Sequence, residues 1–257
     1  ERKLVSVYGL GKSVSVGALM RSSDATISEF GRFVYEKAFS YYTLKQWGSR
    51  TVPDSVLDRV PVKICYQHGY FDDRYIYQPV DGFTAMIEKM LSHPNIELKL
   101  SCDGKELIDV GDEEIKIEGE ACPVVFSGRI DELFNYKYGK LLYRTLDFKF
   151  ERYDIPSFQP TAVVNYTQSE DYTRISEFTK FTSKRLAHTI IVKEYPRDCN
   201  GNDTPYYPIC DQTGLIGKYF AEAKRYKNLT LIGRLGLHKY VNMDEAVIIA
   251  IKGVSGL

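Results

Sequence analysis

The sequence predicts a mixed α/β (α+β) protein in which a helical region and α/β segments surround a largely antiparallel sheet. Three observations predict it. Apolar residues recur at three- and four-residue spacing as Ile27, Phe30, Val34, Ala38 and Tyr41. Strand-like and helix-like stretches alternate between residues 60 and 140, the pattern of an α/β layer. From Leu141 to Val192 the texture turns long, β-rich and roughly alternating, in LLYRTLDFKFERY, TAVVNYT, DYTRISEFTKF and HTIIVKEYP. These stretches read as about four antiparallel strands.

In chain order, residues 1–22 read as a loop or hairpin-like segment. Their Gly9-Leu10-Gly11-Lys12-Ser13 lacks the glycine spacing of a phosphate or dinucleotide loop and reads as a turn. Thr26-Ile27-Ser28-Glu29 fits a capping box that opens a helix, and Gly48 fits its C-cap. The stretch YYTLKQWG, Tyr41 to Gly48, is then the exit of that helix, and it holds the only tryptophan, Trp47. Rings at a helix end suit a packed core or a cleft, and both readings stay open on the residues alone. Pro53 can start a short helix through Arg59. Val60 to Tyr66 reads as a strand, Gly82 to Leu91 as a helix and Ile96 to Leu100 as a strand. Val124–Phe126 reads as a strand leading through Gly128 to a helix from Ile130. A helix near Gly214–Tyr226, a strand Leu229–Ile232 and a helix from Met243 to Ile251 return to α/β.

Composition bounds the function. The 257 residues carry 34 basic and 34 acidic side chains, which gives no support for a nucleic-acid or anionic-membrane partner. No apolar run approaches the roughly 20 residues that span a bilayer, so membrane insertion is not expected. No signal-peptide pattern stands at Glu1. Cys65, Cys102, Cys122, Cys199 and Cys210 are odd in number and scattered, so they read as reduced thiols of a cytoplasmic protein. The four histidines show no metal-ligand spacing, and no metal site is expected. Tyrosine outnumbers phenylalanine, 20 to 13. That excess suits a flat-walled polar pocket, and equally strands that favour tyrosine by propensity.

A series of short blocks carries a resemblance: YTLKQWG (42–48), RVPVK (59–63), YFDDRY (70–75), GRIDELF (128–134), YRTL (143–146), VNY (164–166), YTRI (172–175), KEYP (193–196), PYYP (205–208), GRL (233–235) and KY (239–240). In this order, from about residue 26 to 250, they resemble the UDP-galactopyranose mutase family. The resemblance implies an isomerase that converts UDP-galactopyranose to UDP-galactofuranose for cell-surface glycans. It implies reduced FAD as cofactor, with a flavin N5–sugar adduct, and UDP-galactose or UDP as partner; homo-oligomerisation stays open.

The resemblance also implies an organisation. Residues 1–25 are an entry segment, 26–60 a helical substrate-binding region with a mobile loop, and 61–140 an α/β segment. Residues 141–212 form the antiparallel sheet, and 213–257 return to Rossmann-like elements of the FAD domain. Arg59 and Arg174 are implied as the catalytic clamps on the diphosphate, where planar forks meet phosphate oxygens bidentately. Tyr42, Thr43 and Trp47 would line the cleft, and Tyr70 would stack on uracil. Glu194, Tyr207, Tyr240 and Asn242 would hydrogen-bond near the sugar and diphosphate. Gly233, Arg234 and Tyr240 would contact the flavin. Read without the resemblance, each arginine suits a surface ion pair equally well.

Some residues depart from the family pattern. His238, Val241 and Asn242 stand where the family usually has Tyr, Tyr and Asp. The family's opening Gly-x-Gly-x-x-Gly has no counterpart in the sequence, so FAD is expected to be weakly bound or absent in this chain. A non-catalytic UDP-sugar-binding module is the alternative reading, and an amine-oxidase-like flavoenzyme a more distant one.

Overall fold

The computed structural model describes residues 1–48, 54–58, 60–67, 73–182, 185–209 and 213–255. The fold is mixed α/β with antiparallel sheets, in agreement with the sequence. It divides into two compact units. The first comprises Glu1–His93 and Leu146–Arg197, and the second Pro94–Thr145 and Asp198–Leu257.

The first unit opens differently from expectation. Residues 1–22 hold two helices, Arg2–Tyr8 and Val16–Met20, with the strand Ser13–Ser15 between them. That strand pairs antiparallel with Pro61–Lys63, Val14 facing Val62. A partner some 50 residues away leaves no local signal. Gly9 to Lys12 do form the expected turn. The strand expected over 60–66 shrinks to those three residues.

The next helix, Ala25–Val34, is capped by Asp24 rather than by the Thr26–Glu29 box. Asp24 accepts from the amides of Thr26 and Ile27 at 3.0 and 3.2 Å and pairs with Lys3 at 2.5 Å. A carboxylate two residues earlier thus satisfies the open helix amides. This helix crosses Val16–Met20 almost backbone to backbone at Gly31. A Cβ there would lie 2.6 Å from the Met20 amide nitrogen. The helix then widens into a π-helical segment, Tyr35–Ser40, and resumes as Tyr41–Trp47. Gly48 ends it as expected, in the left-handed region at φ 72°, its amide bonded to Leu44 O.

Asp54–Leu57 is a short helix, while Pro53 and Arg59, the bounds expected for it, lie outside the described residues. The helix Gly82–Leu91 has its expected bounds. Ile96–Leu100 is not a strand. Ile96, Leu98 and Leu100 alternate in sequence but are 45–77% exposed, and no strand among the described residues pairs with them.

The sheet of this unit takes the later part of the strand Tyr143–Tyr153, then Thr189–Asp198, Arg174–Glu177 and Val163–Asn165 in spatial order. The last three are antiparallel neighbours. Ile175, Ile191 and Val192 are buried within it. Glu177 is fully buried too, and its carboxylate accepts from the amides of Phe158 and Gln159 and from the Thr189 hydroxyl at 2.8–3.0 Å.

The second unit has a core of Ile115, Val124, Ile130, Leu133, Phe134, Leu141, Tyr143, Tyr219, Ala223 and Tyr226. A parallel pair, Val124–Phe126 with Leu229–Leu231, lies beside a three-stranded antiparallel sheet that the sequence did not predict. Its strands are Ile108–Val110, Ile115–Ile117 and Glu120–Ala121. The last two are joined by Glu118-Gly119, both at positive φ, a hairpin turn matched to strand twist. The Asn228 side chain holds this sheet, bonding the Ile115 amide and carbonyl and the Cys122 carbonyl at 2.6–3.1 Å. Tyr207–Pro208 pairs antiparallel with Tyr143–Arg144. The helices Leu215–Ala223 and Met243–Val254 fall where expected.

Candidate functional site

In the first unit, strand register builds a row of three polar residues. Arg174 faces Asn165 across one strand pair and Glu194 across the other. Directly opposed residues project to the same face, so the three side chains meet. Arg174 Nε donates to Asn165 Oδ1 at 3.0 Å, and Nη1 lies 3.8 Å from Glu194 Oε2. Arg174 Nη2 reaches the Tyr42 hydroxyl at 3.5 Å, which joins the row to the helix Tyr41–Trp47. Burial pushes the Glu194 carboxyl up from its ordinary pKa, and the Arg174 charge only partly opposes this.

The helix exposes its aromatic residues selectively. Tyr42 and Thr43 are half-buried, and Trp47 is 38% exposed. The core reading of Trp47 therefore fails. Thr43 and Trp47 stand four residues apart and share one helix face, while Tyr42 and Lys45 share another. Lys45 Nζ donates to the carbonyls of Tyr166 and Tyr172 at 2.7 and 2.9 Å. Burial lowers the Lys45 pKa, against the opposing pull of Glu170 and Asp171.

In the second unit, Gly233 follows the strand Leu229–Leu231 at φ 71°, a conformation that suits a residue without Cβ. Arg234 donates from Nη1 to Tyr206 O at 3.0 Å and from Nη2 to Val241 O at 2.8 Å. Its guanidinium also lies 4.4 Å from the centroid of the Tyr240 ring. Tyr240 is 54% exposed. Tyr207 is fully buried and meets Tyr240 edge-on at 6.3 Å. Asn242 stands at the N-cap of Met243–Val254, its amide donating to Glu245 Oε2 at 2.7 Å.

The structure thus brings together Tyr42, Arg174 and Glu194 in one unit, and Tyr207, Gly233, Arg234 and Tyr240 in the other. Arg59 and Tyr70 lie outside the described residues. Two residues were missed. Asn165 sits in the VNY block, but only strand register reveals that it faces Arg174. Lys45 carried a readable signal: a lysine one turn from Tyr42, on a helix face that meets protein rather than water.

A sequence profile of UDP-galactopyranose mutase matches residues 37–240. This chain belongs to the UDP-galactopyranose mutase family. A probable UDP-galactopyranose mutase of Klebsiella pneumoniae is 38% identical over 229 residues, 86% of this chain and 57% of its own length. A dTDP-fucopyranose mutase of Escherichia coli is 36% identical over 96% of this chain and 65% of its own length. The UDP-galactopyranose mutase of Mycoplasma genitalium is 32% identical over 98% of this chain and 66% of its own length. The chain therefore spans less than two thirds of the length of these curated relatives.

Both groups of residues carry chemistry that suits the family. The row around Arg174 offers a cation that neighbouring polar side chains orient. The group around Arg234 offers an exposed ring with a cation at its face and a glycine turn at a parallel strand end. An exposed ring with a cation at its face is a surface on which a flat conjugated group can stack. Among the described residues, no helix is long and apolar enough to cross a membrane.

Proposed function

We propose that this chain carries substrate and flavin contacts of a sugar-nucleotide mutase that interconverts UDP-galactopyranose and UDP-galactofuranose. The single observation that carries the reading is the row Asn165–Arg174–Glu194 with the Tyr42 hydroxyl against it. Ring contraction requires the bond between the anomeric carbon and the diphosphate to break, and the departing diphosphate gains charge. An arginine fork suits that charge because it is planar and stays protonated. Arg174 suits the role because its contacts to Glu194 and Tyr42 are long, 3.8 and 3.5 Å, and yield readily to phosphate oxygens. Glu194, raised by burial, holds a proton more readily than an exposed carboxylate and can lend one to a sugar oxygen.

Arg59 and Tyr70 extend the reading as second clamp and uracil platform. Thr43 and Trp47 line the nucleotide side. Tyr240 and Asn242 serve the sugar side, with Tyr207 buttressing the Tyr240 ring. Reduced FAD, when bound at Gly233, Arg234 and Tyr240, supplies the nucleophile for the anomeric carbon.

The test is binding of UDP and uridine to Arg174→Ala. A charged hydrogen bond contributes about 1.5–3 kcal/mol, so UDP affinity should fall roughly ten- to a hundredfold. Uridine, which lacks phosphates, should bind as before. Equal weakening of both would mean that Arg174 holds the fold and not the diphosphate. The similarity to a dTDP-fucopyranose mutase supports a second reading, a dTDP-deoxysugar as substrate. Tighter binding of dTDP than of UDP would move the substrate to that class.

A further inference from the structure

We propose that Lys45 is a positioning residue that sets the aromatic helix against Arg174, by clamping the loop that joins the two strands carrying Asn165 and Arg174. The loop runs from Tyr166 to Thr173, between the strands Val163–Asn165 and Arg174–Glu177. It is bonded to the helical segment at two places about two turns apart. At one end the Lys37 carbonyl, inside the π-helical segment, accepts from Thr167 Oγ1 at 2.6 Å and Gln168 Nε2 at 2.7 Å. At the other, Lys45 Nζ donates to the carbonyls that bracket the loop, Tyr166 O and Tyr172 O.

The geometry explains why one ammonium carries this weight. Tyr166 directly follows Asn165, and Tyr172 stands two residues before Arg174. A single point of attachment therefore fixes both strand ends relative to the helix. Lys45 lies one turn from Tyr42 on the same face, so the distance from Tyr42 to Arg174 is set by the lysine's bonds next to it. The Tyr42–Arg174 contact, at 3.5 Å, is too long to hold the two elements by itself. Glu170 and Asp171, within the loop, oppose the lowering that burial imposes on the ammonium's pKa. A lysine is suited here because its flexible stem lets one nitrogen address two carbonyls. The aromatic contact of Tyr166 with Tyr172, 4.8 Å between centroids, keeps the two carbonyls together.

The role rests on the site reading above only for its effect on ligand, so two measurements in the full-length protein separate them. The first is amide hydrogen exchange of Lys45→Met against the unchanged protein. Loss of the clamp should speed exchange at least tenfold in residues 37–47 and 163–174 and leave other segments as they were. Unchanged exchange in those residues, or an increase spread evenly through the chain, would overturn the proposal. Lys45→Arg, which keeps charge and donors, should recover most of the protection.

The second is a double-mutant cycle with Arg174→Ala, read as the preference for UDP over uridine. If Lys45 acts through Arg174, its loss reduces that preference about tenfold in the parent and not at all once Arg174 is gone. Two independent, additive losses would overturn positioning through Arg174. Absence of any UDP preference in the unchanged protein would overturn the diphosphate reading alone, because the exchange result stands without a ligand.

Discussion

Trp47 shows how burial decides a residue's role. A fully buried tryptophan costs about 3–5 kcal/mol when cut to alanine. At 38% exposed, Trp47 keeps one side in water and should cost less, about 1–2 kcal/mol. Trp47→Ala should therefore weaken UDP binding more than it lowers stability. Denaturant melts beside UDP titrations check this, and a stability loss of core size with unchanged affinity would contradict it. Much at this scale was legible. Arg174, Glu194 and Tyr42 were named from their blocks, and the structure places them in contact. Asn165 was not named, because nothing in a strand's residues states which neighbour it faces. The burial of Tyr207 was equally hidden, since PYYP offers two adjacent rings and only the sheet decides which turns inward.

Elements were legible where signals were local. Gly82–Leu91 could be read as a helix, the end of the helix Tyr41–Trp47 from Gly48, and Val124–Phe126 from its β-branched and aromatic run ahead of Gly128. The π-helical segment could not, because it slips the helical register within an otherwise continuous pattern. Nor could the strands of two or three residues around 108–121, which are too short to show alternation. The close crossing at Gly31 yields a prediction at this scale. Alanine favours a helix by about 1 kcal/mol over glycine. The added methyl, however, would meet backbone atoms of Met20 and Leu19 at 2.6 and 2.7 Å, and these cannot swing aside. Overpacking of this kind costs about 1–3 kcal/mol. Gly31→Ala should therefore be destabilising, with a Tm a few degrees lower by calorimetry; a raised Tm would mean that the two helices slide apart freely.

Across the whole molecule, carboxyls in both units are held below their ordinary values. Lys3 lowers Asp24, Lys193 lowers Glu151 and Lys137 lowers Glu222. At Glu177 burial pushes upward, but bonds from Phe158, Thr189 and Gln159 outweigh it. A carboxyl lowered on folding adds stability that is fully present above its unfolded pKa, about 4. That stability is lost as pH falls through the folded value. Glu194, raised by burial, has the opposite sign: its contribution is present below the unfolded value and lost as pH rises through the folded one. Among the described residues four lowered carboxyls outnumber one raised, so Tm should hold near neutrality and drop steeply below about pH 4. Glu177→Gln should lower the neutral plateau by about 1–3 kcal/mol, because all three donors lose a charged acceptor and at least one then faces an amide nitrogen that cannot accept. It should also flatten part of the acid slope. Thermal melts across a pH series read both effects, and parallel curves for the two proteins would remove Glu177 from the account.

The half-exposed indole has an optical consequence. Because Trp47 is the chain's only tryptophan, selectively excited emission comes from one ring on the helix that carries Tyr42 and Lys45. No label is needed to watch that helix. A ligand that docks against it should shield the indole from a soluble quencher.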